Sequence, residues 1–499
     1  MSCLMGIDLG TSSVKTLIMD FEGNIKGTGQ EDYRFDIPCE GFAEQHPETW
    51  WRATVNTVRE ALAMAGICPG EIKCIGFSGQ MHGMVLVDKE LNPVRPAILW
   101  CDQRSRLQVE AIYEKVGREE LGRLILNPVA TGFQTPSLLW VKEHEPENYH
   151  NTYKVLLPKD YIRLKLTGET GSDVTDASST LAFDTAAGKW SERLLGLLDL
   201  DIEKYPVCKR PFDTAGTVTS RAAKETGLEP GIRVVFGGGD QQMQAVGNGI
   251  VDPGTASSTI GSGSIIFTPS EKPVYDKKLR MHTFANAVPG TWTIMGASLC
   301  AGLSLRWLKE NIIRDGDFKS MDKQAETLPA GSEGLLFVPY LAGERTPHMD
   351  PYARGMFFGL TLKHTRVHMA RAVMEGAAFA LRDSLEIFGG LGIEINRVIA
   401  SGGGAKSPLW LQIQADVFQR EVYTTKMSEQ ACFGAAIMAG VGAGVYPSVR
   451  EACSRIVKHN PEPVLPDPHA SAVYDHSYEV YKELYQRNKD LFRRMTTNT

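Results

Sequence analysis

Residues 5–15, MGIDLGTSSVK, constrain the fold more than any other stretch of this chain. An apolar run delivers Asp8 into a turn of Gly10, Thr11, Ser12 and Ser13, and apolar alternation resumes at Val14, Leu17 and Ile18. That pattern predicts two strands joined by a polar turn, whereas a Walker loop opens a helix. A turn of this composition offers backbone N–H groups and hydroxyls to phosphate oxygens, Gly10 permits close backbone approach, and Asp8 suits a hydrated cation. Lys15 either reaches phosphate or covers the strand edge.

At 499 residues the chain exceeds what one hydrophobic core ordinarily supports, so two large domains are expected. Its 49 glycines exceed the usual share of about 7% and imply many tight turns or close backbone approaches. The net charge of −6 is spread without a long run of one sign, which points away from nucleic acid and membrane and toward a small-molecule partner. The nine cysteines form no Cys-x-x-Cys pair and read as free thiols of a reducing compartment. With no signal-like start and no apolar run long enough to span a bilayer, a cytoplasmic protein is expected.

Along the chain, a strand meander gives way to a helical period over 50–65, then to the strand IKCIGFSG at 72–79. Helical stretches are expected near 103–116 and 137–145, and LPKDYIRLKLTG reads as a helix stopped by Gly168. SDVTDASST reads as a polar loop, and IRVVFGGGD as a strand ending at Asp240. The second half repeats this logic. Residues 256–267, ASSTIGSGSIIF, form a second strand–turn–strand around Gly261, Ser262 and Gly263. A helix follows at 368–388, then the strand RVIASGGG, a helix from Pro408 and the glycine-rich GAAIMAGVGAG; the last fifty residues look helical and mostly polar. Two hydroxyl-rich hairpins and the glycines at 402–404, which leave room for a flat base, fit a cleft between two related lobes with phosphates at its bottom.

The stretches MGIDLGTSSVK, GFSGQMHGMVLVD (76–88), PAILWCDQRS (96–105), LLPKDYIRLKLTGE (156–169), FGGGDQQMQAVG (236–247), PYLAGERTPHMDPYARGMFFGL (339–360) and SGGGAKSPLW (401–410) resemble the FGGY family of carbohydrate kinases over nearly the whole chain. The resemblance implies an α/β fold of two actin-like, ribonuclease-H-like ATPase lobes: 1–249, with the sugar site, first hairpin and catalytic aspartate, and 250–499, with the second hairpin and adenosine turn. It implies ATP-dependent phosphorylation of a ketose, D-xylulose first, with ribulose, L-xylulose or glycerol as alternatives and a non-catalytic sensor as a distant one. A homodimer is expected on the same ground alone.

By that resemblance Asp240 is the base that accepts the hydroxyl proton, and Asp8, with Asp240, organises Mg²⁺ for the ATP phosphates. Gln80, Met81, His82, Trp100, Asp102 and Arg104 become sugar contacts together with Asp240. Gly10, Thr11, Ser12, Ser13, Lys15, Gly261, Ser262, Gly263, Gly402, Gly403, Gly404 and Ala405 become nucleotide contacts. The isolated GGGD would by itself read as a helix cap. The chain departs from the family's ketose-kinase pattern at Gln241 and Gln242, which resemble glycerol kinases, at Ser137 in place of lysine, and at Cys101 in place of asparagine. GERTPHMDP is expected to be structural, with Glu344 and Arg345 pairing to hold the lobes together.

Overall fold

The computed structural model describes residues 2–314, 316–427 and 429–496. Two six-stranded paths organise it. The first runs Thr214–Thr217, Arg233–Val235, Ile72–Gly79, Cys3–Leu9, Ser13–Asp20, Ile25–Asp32. The second runs His282–Ala285, Trp292–Ser298, Ser264–Ser270, Thr255–Ile260, Arg397–Gly402, Glu421–Thr424. Each contains a three-strand antiparallel meander whose first strand also pairs in parallel with a strand entered after a long helix. The internal repeat expected from the two hairpins therefore extends to strand order over five strands, and each sheet adds one antiparallel edge strand, Thr214–Thr217 beyond the parallel pair in the first and His282–Ala285 beyond the meander in the second.

Those helices occupy equivalent places. Pro47–Ala65 starts at His46, whose side chain accepts from the Glu48 N–H, and stops at Gly66 in the left-handed region (φ 62°). Its backbone lies on the first meander because Gly27 and Gly29 have no Cβ; one there would stand 2.3 Å from the Ala61 and Thr57 carbonyls. Arg366–Gly390, capped by Thr365, fills the same role in the second lobe and is buried for most of its length.

Three readings change. SDVTDASST is not a solvated loop: Asp173 caps a short helix Val174–Ala177, a 3₁₀ turn Ser178–Thr180 follows, and Thr175 through Thr180 are buried. The inward turn is possible because its hydroxyls find backbone carbonyls, Ser178 on Thr175 and Thr180 on Ala177. The strand before Asp240 ends at Val235, since Gly237 takes a φ of 75° with a Cβ site 2.3 Å from the Phe77 carbonyl. Gly238–Gly239 rejoin the sheet and Asp240 opens the helix Asp240–Gly247. The C-terminal helix Pro468–Thr496 is not polar all round, because Tyr474, Tyr478, Tyr481 and Tyr485 line one face at helical spacing and are buried beside Phe379 and Tyr340.

GAAIMAGVGAG belongs to the helix Gln430–Gly442, which returns from the second half of the chain to lie on the first sheet. A Cβ at Gly6 would stand 2.0 Å from the Cys432 carbonyl, and one at Gly76 2.0 Å from that of Ala435. The helix Asp240–Gly247 crosses the same helix where Gly247 meets the Gln430 carbonyl and Gly434 that of Met243, each at 1.9 Å from an added Cβ. Gly76→Ala is therefore expected to destabilise the protein by about 3 kcal/mol through overpacking against backbone that cannot move aside. Gly389→Ala, whose Cβ meets nothing within 4 Å, should stay within about 0.5 kcal/mol of the parent. Urea unfolding of the two variants measures both.

Candidate active site

The first hairpin turn forms as read, with the Gly10 N–H on the Ser13 carbonyl at 2.9 Å. Its carbonyls are taken by the protein: Gly10 accepts from the Tyr33 hydroxyl (2.7 Å) and Ser12 from the Tyr33 N–H (2.9 Å). The Ser12 and Ser13 hydroxyls have no partner among the described residues, and Ser12 is exposed, so the turn keeps donors that a phosphate could take. The Thr11 hydroxyl donates to Gln80 Oε1 (3.2 Å) and accepts from Trp100 Nε1 (2.8 Å). Lys15 pairs with Glu429 at 2.8 Å, tying this hairpin to the helix that crosses from the second half.

Asp8 ends the first strand, where Oδ1 accepts from the Ser78 hydroxyl at 2.6 Å. Its carboxyl is enclosed, and desolvation raises its pKa against the pull of Ser78 and Lys15. Asp240 stands at the first residue of its helix and accepts from the Gln241 side-chain amide, at 3.3 Å, and from the Gln241 backbone N–H. Desolvation, then the charge of Asp8, pushes its pKa up to about 7, so burial removes the full ionisation that an ordinary aspartate has at neutral pH. Two half-buried carboxylates with incomplete hydrogen bonding could hold a hard divalent cation. The glycines before Asp240 meet the protein itself, since a Cβ at Gly238 would stand 2.6 Å from Met243 Cε and 2.8 Å from Thr175 Oγ1, and one at Gly239 2.8 Å from Met81 Cγ.

His82 adopts a left-handed backbone (φ 70°), a costly choice for a residue with a Cβ. Its ring lies 4.0 Å from that of Phe133, and Nδ1–H donates to the Ser179 carbonyl at 3.0 Å, which leaves Nε2 as an acceptor. Burial pushes its pKa down to about 3, so the imidazole is neutral. Met81 is buried beside Gly239. Gln80 is buried as well and serves the hairpin, its Nε2 on the Gly10 carbonyl at 3.4 Å.

Asp102 and Arg104 are not brought to the cleft. Asp102 has no exposed surface and accepts from the Ala43 N–H (2.6 Å) and three Arg104 nitrogens. Arg104 adds a 2.7 Å pair with Glu44 and lies over the Phe42 ring. The two side chains are saturated by protein and hold the loop that carries Trp100, which remains 37% exposed at the rim of the hairpin. The expected Glu344–Arg345 pair also gives way. Glu344 accepts from the Ser298 hydroxyl and from the N–H groups of Leu299 and Arg345, bracing the end of the strand Trp292–Ser298 within the second lobe.

In the second hairpin the Ser262 carbonyl takes the N–H groups of Ala301 and Leu303, and Gly261 that of Gly302. The turn is thereby docked on the start of the helix Gly302–Leu308. Gly261, Ser262, Gly403 and Gly404 line one cleft of about 860 Å³ with Phe318, Lys323 and Trp410, a size in the usual range for a small-molecule site. Gly402 (φ 76°) and Gly404 are needed because Ile260 leaves no room for a Cβ, whereas a Cβ at Gly403 would make an ordinary 3.6 Å contact with the Ile260 carbonyl. Sequence reading missed Lys159, Asp173, Thr175 and Asp176, a buried cluster behind Gly239; the signal present was LPKDY followed by a hydroxyl-rich SDVTDASST.

The model of the N-terminal domain of the FGGY family of carbohydrate kinases matches residues 3–247, and that of the C-terminal domain residues 256–443. A xylulose kinase of Staphylococcus epidermidis is 37% identical over 455 residues, 91% of each chain. One of Escherichia coli is 35% identical over 471 residues, 94% of this chain and 96% of its own. Among solved structures, a xylulose kinase from Rhodospirillum rubrum superposes with a TM-score of 0.91 at 29% identity, covering 98% of this chain and all of its own. Replacing Asp102 by alanine should cost about 3 kcal/mol of stability, because it strips a buried arginine of its main partner, while the sugar KM of the folded enzyme stays within twofold; thermal unfolding and steady-state kinetics check the two halves of that expectation.

Proposed function

The chain belongs to the FGGY family of carbohydrate kinases, and from that premise we propose that it transfers the γ-phosphoryl group of ATP to D-xylulose, forming D-xylulose 5-phosphate and ADP. The observation that carries the ketose reading is the Gln80-Met81-His82 stretch, with a neutral imidazole held as an acceptor and Met81 packed against Gly239, the residue before Asp240, in a chain whose relatives at this identity are xylulose kinases.

Asp240 accepts the proton of the attacking hydroxyl as its oxygen forms the bond to the γ-phosphorus. The bond from that phosphorus to the bridging β–γ oxygen breaks, and ADP leaves with the electron pair. A carboxylate whose pKa lies near 7 is a stronger acceptor than an ordinary aspartate, which suits proton removal from an alcohol. Asp8 and Asp240 would hold Mg²⁺, in part through water, and the cation when bound supplies charge neutralisation for the phosphate oxygens. The donors of the first hairpin orient the phosphates, and the glycine-lined cleft of the second lobe receives the adenosine. His82 Nε2 accepts from a sugar hydroxyl, Met81 shapes the pocket wall, and Trp100 closes its rim. The cytoplasm is the fitting compartment, since the reaction draws on ATP.

Gln241 and Gln242 beside the base favour a second reading, in which another ketose or polyol is preferred. ADP release measured across D-xylulose, D-ribulose, L-ribulose, L-xylulose, glycerol and gluconate separates the two. D-xylulose should lead in kcat/KM by at least about tenfold, equivalent to ~1.4 kcal/mol of transition-state binding, and a lead by any other compound overturns the substrate assignment. Asp240→Asn should lose at least about a hundredfold in kcat while sugar and ATP binding, followed by calorimetry, are retained.

A further inference from the structure

Behind the turn that carries Asp240 lies a charged cluster with no exposed surface. Lys159 Nζ stands 2.6 Å from Asp160 Oδ1, 2.7 Å from Asp173 Oδ2 and 3.4 Å from Asp176 Oδ2, and all four side chains are fully buried. Such a cluster is weak evidence for stability, since apolar packing of equal volume often does as well. Its connections are more informative than its charges.

Asp173 Oδ1 accepts from both the N–H (2.8 Å) and the hydroxyl (2.5 Å) of Thr175. With its single proton given to that carboxylate, Thr175 Oγ1 presents lone pairs, and one of them accepts the Gly239 N–H at 3.2 Å. Gly239 is the residue before Asp240. From the same segment, Asp176 Oδ1 accepts from the Ser179 hydroxyl at 3.2 Å, and the Ser179 carbonyl accepts from His82 Nδ1 at 3.0 Å. Ser178 Oγ accepts the Ala285 N–H of the second lobe at 3.0 Å. One buried segment, 173–179, thus anchors the peptide before the base, the sugar-facing imidazole and a strand of the opposite lobe.

We propose that Thr175 is a positioning residue: its hydroxyl, oriented by the Lys159–Asp173 pair, sets the place of the Gly238–Gly239 peptide, one residue before Asp240, and so the approach of the Asp240 carboxylate to the reacting hydroxyl. The inference rests on Asp240 being the base. Phosphoryl transfer depends on alignment, and a displacement of about 1 Å at a reacting group is worth about a hundredfold in rate. Valine at 175 keeps the shape of threonine and removes the oxygen, leaving the Gly239 N–H without an acceptor.

Thr175→Val, Thr175→Ser and Asp240→Asn are compared in ADP release with the ketose that turns over fastest, alongside thermal unfolding of each. The expected result is a kcat about tenfold to a hundredfold lower for Thr175→Val, a sugar KM within about twofold of the parent, and recovery to within about threefold of parental kcat in Thr175→Ser. If valine does not fold, Thr175→Ala, which removes the same oxygen, is read by the same criteria. A Thr175→Val enzyme that melts earlier but turns over at the parental rate overturns the inference, as does a serine variant no faster than valine. Those results with an inactive Asp240→Asn leave the base in place, whereas an active Asp240→Asn removes the base reading and this inference with it.

Discussion

The site depends on backbone packed directly against backbone. The helix Gln430–Gly442 touches the first sheet at Gly6 and Gly76 and the helix Asp240–Gly247 at Gly247 and Gly434. At each of these four points an added Cβ would stand 2.0 Å or less from a carbonyl oxygen. Interiors are close-packed and transmit such displacements, so the strand that ends in Asp8 and the helix that begins with Asp240 are held in one fixed relation by a helix that comes from the other half of the chain. The Lys15–Glu429 pair at the start of that helix adds a polar tie next to the first hairpin.

Electrostatics then divides the two ends of the cleft. Asp8 and Asp240 have few hydrogen-bond donors, and desolvation pushes each carboxyl upward. Removing that cost requires positive charge or a proton, which is what a cation and an alcohol would bring. At His82, burial holds the imidazole neutral, and a carbonyl partner selects its tautomer. One side chain type favours its charged form less, the other its charged form hardly at all, and both outcomes come from the same loss of water.

Several polar residues near the cleft serve the scaffold. Asp102 and Arg104 saturate each other beneath the Trp100 loop, Gln80 supports the first hairpin turn, and Glu344 braces a strand end in the second lobe. The buried Lys159 cluster reaches closer to chemistry, since Thr175 connects it to the peptide before Asp240. A buried polar group needs its partners supplied by the fold, and in these cases near neighbours such as Arg104 for Asp102 are completed by residues distant in the chain, Ala43 for Asp102 and Ser298 for Glu344.

The strand–turn–strand units at 5–18 and 256–267, the helix over 50–65, the helix ended by Gly168 and the repetition of one lobe in the other were legible in the sequence, because local periodicity and turn chemistry dictate them. The motifs of the family were legible too, which is why Asp8, Asp240 and His82 could be singled out. Which of the neighbouring polar residues face the cleft was not, because Asp102 and Arg104 carry the same residue types as a sugar site and differ only in having each other and Ala43 as partners. Nor could SDVTDASST be seen as buried, since its hydroxyls look solvated until Gly239, Lys159 and Ala285 are placed around them. The sequence by itself determined the elements and the chemistry available. Only the tertiary structure decided which charges are desolvated, because desolvation is set by what packs around a side chain and not by its neighbours in the chain.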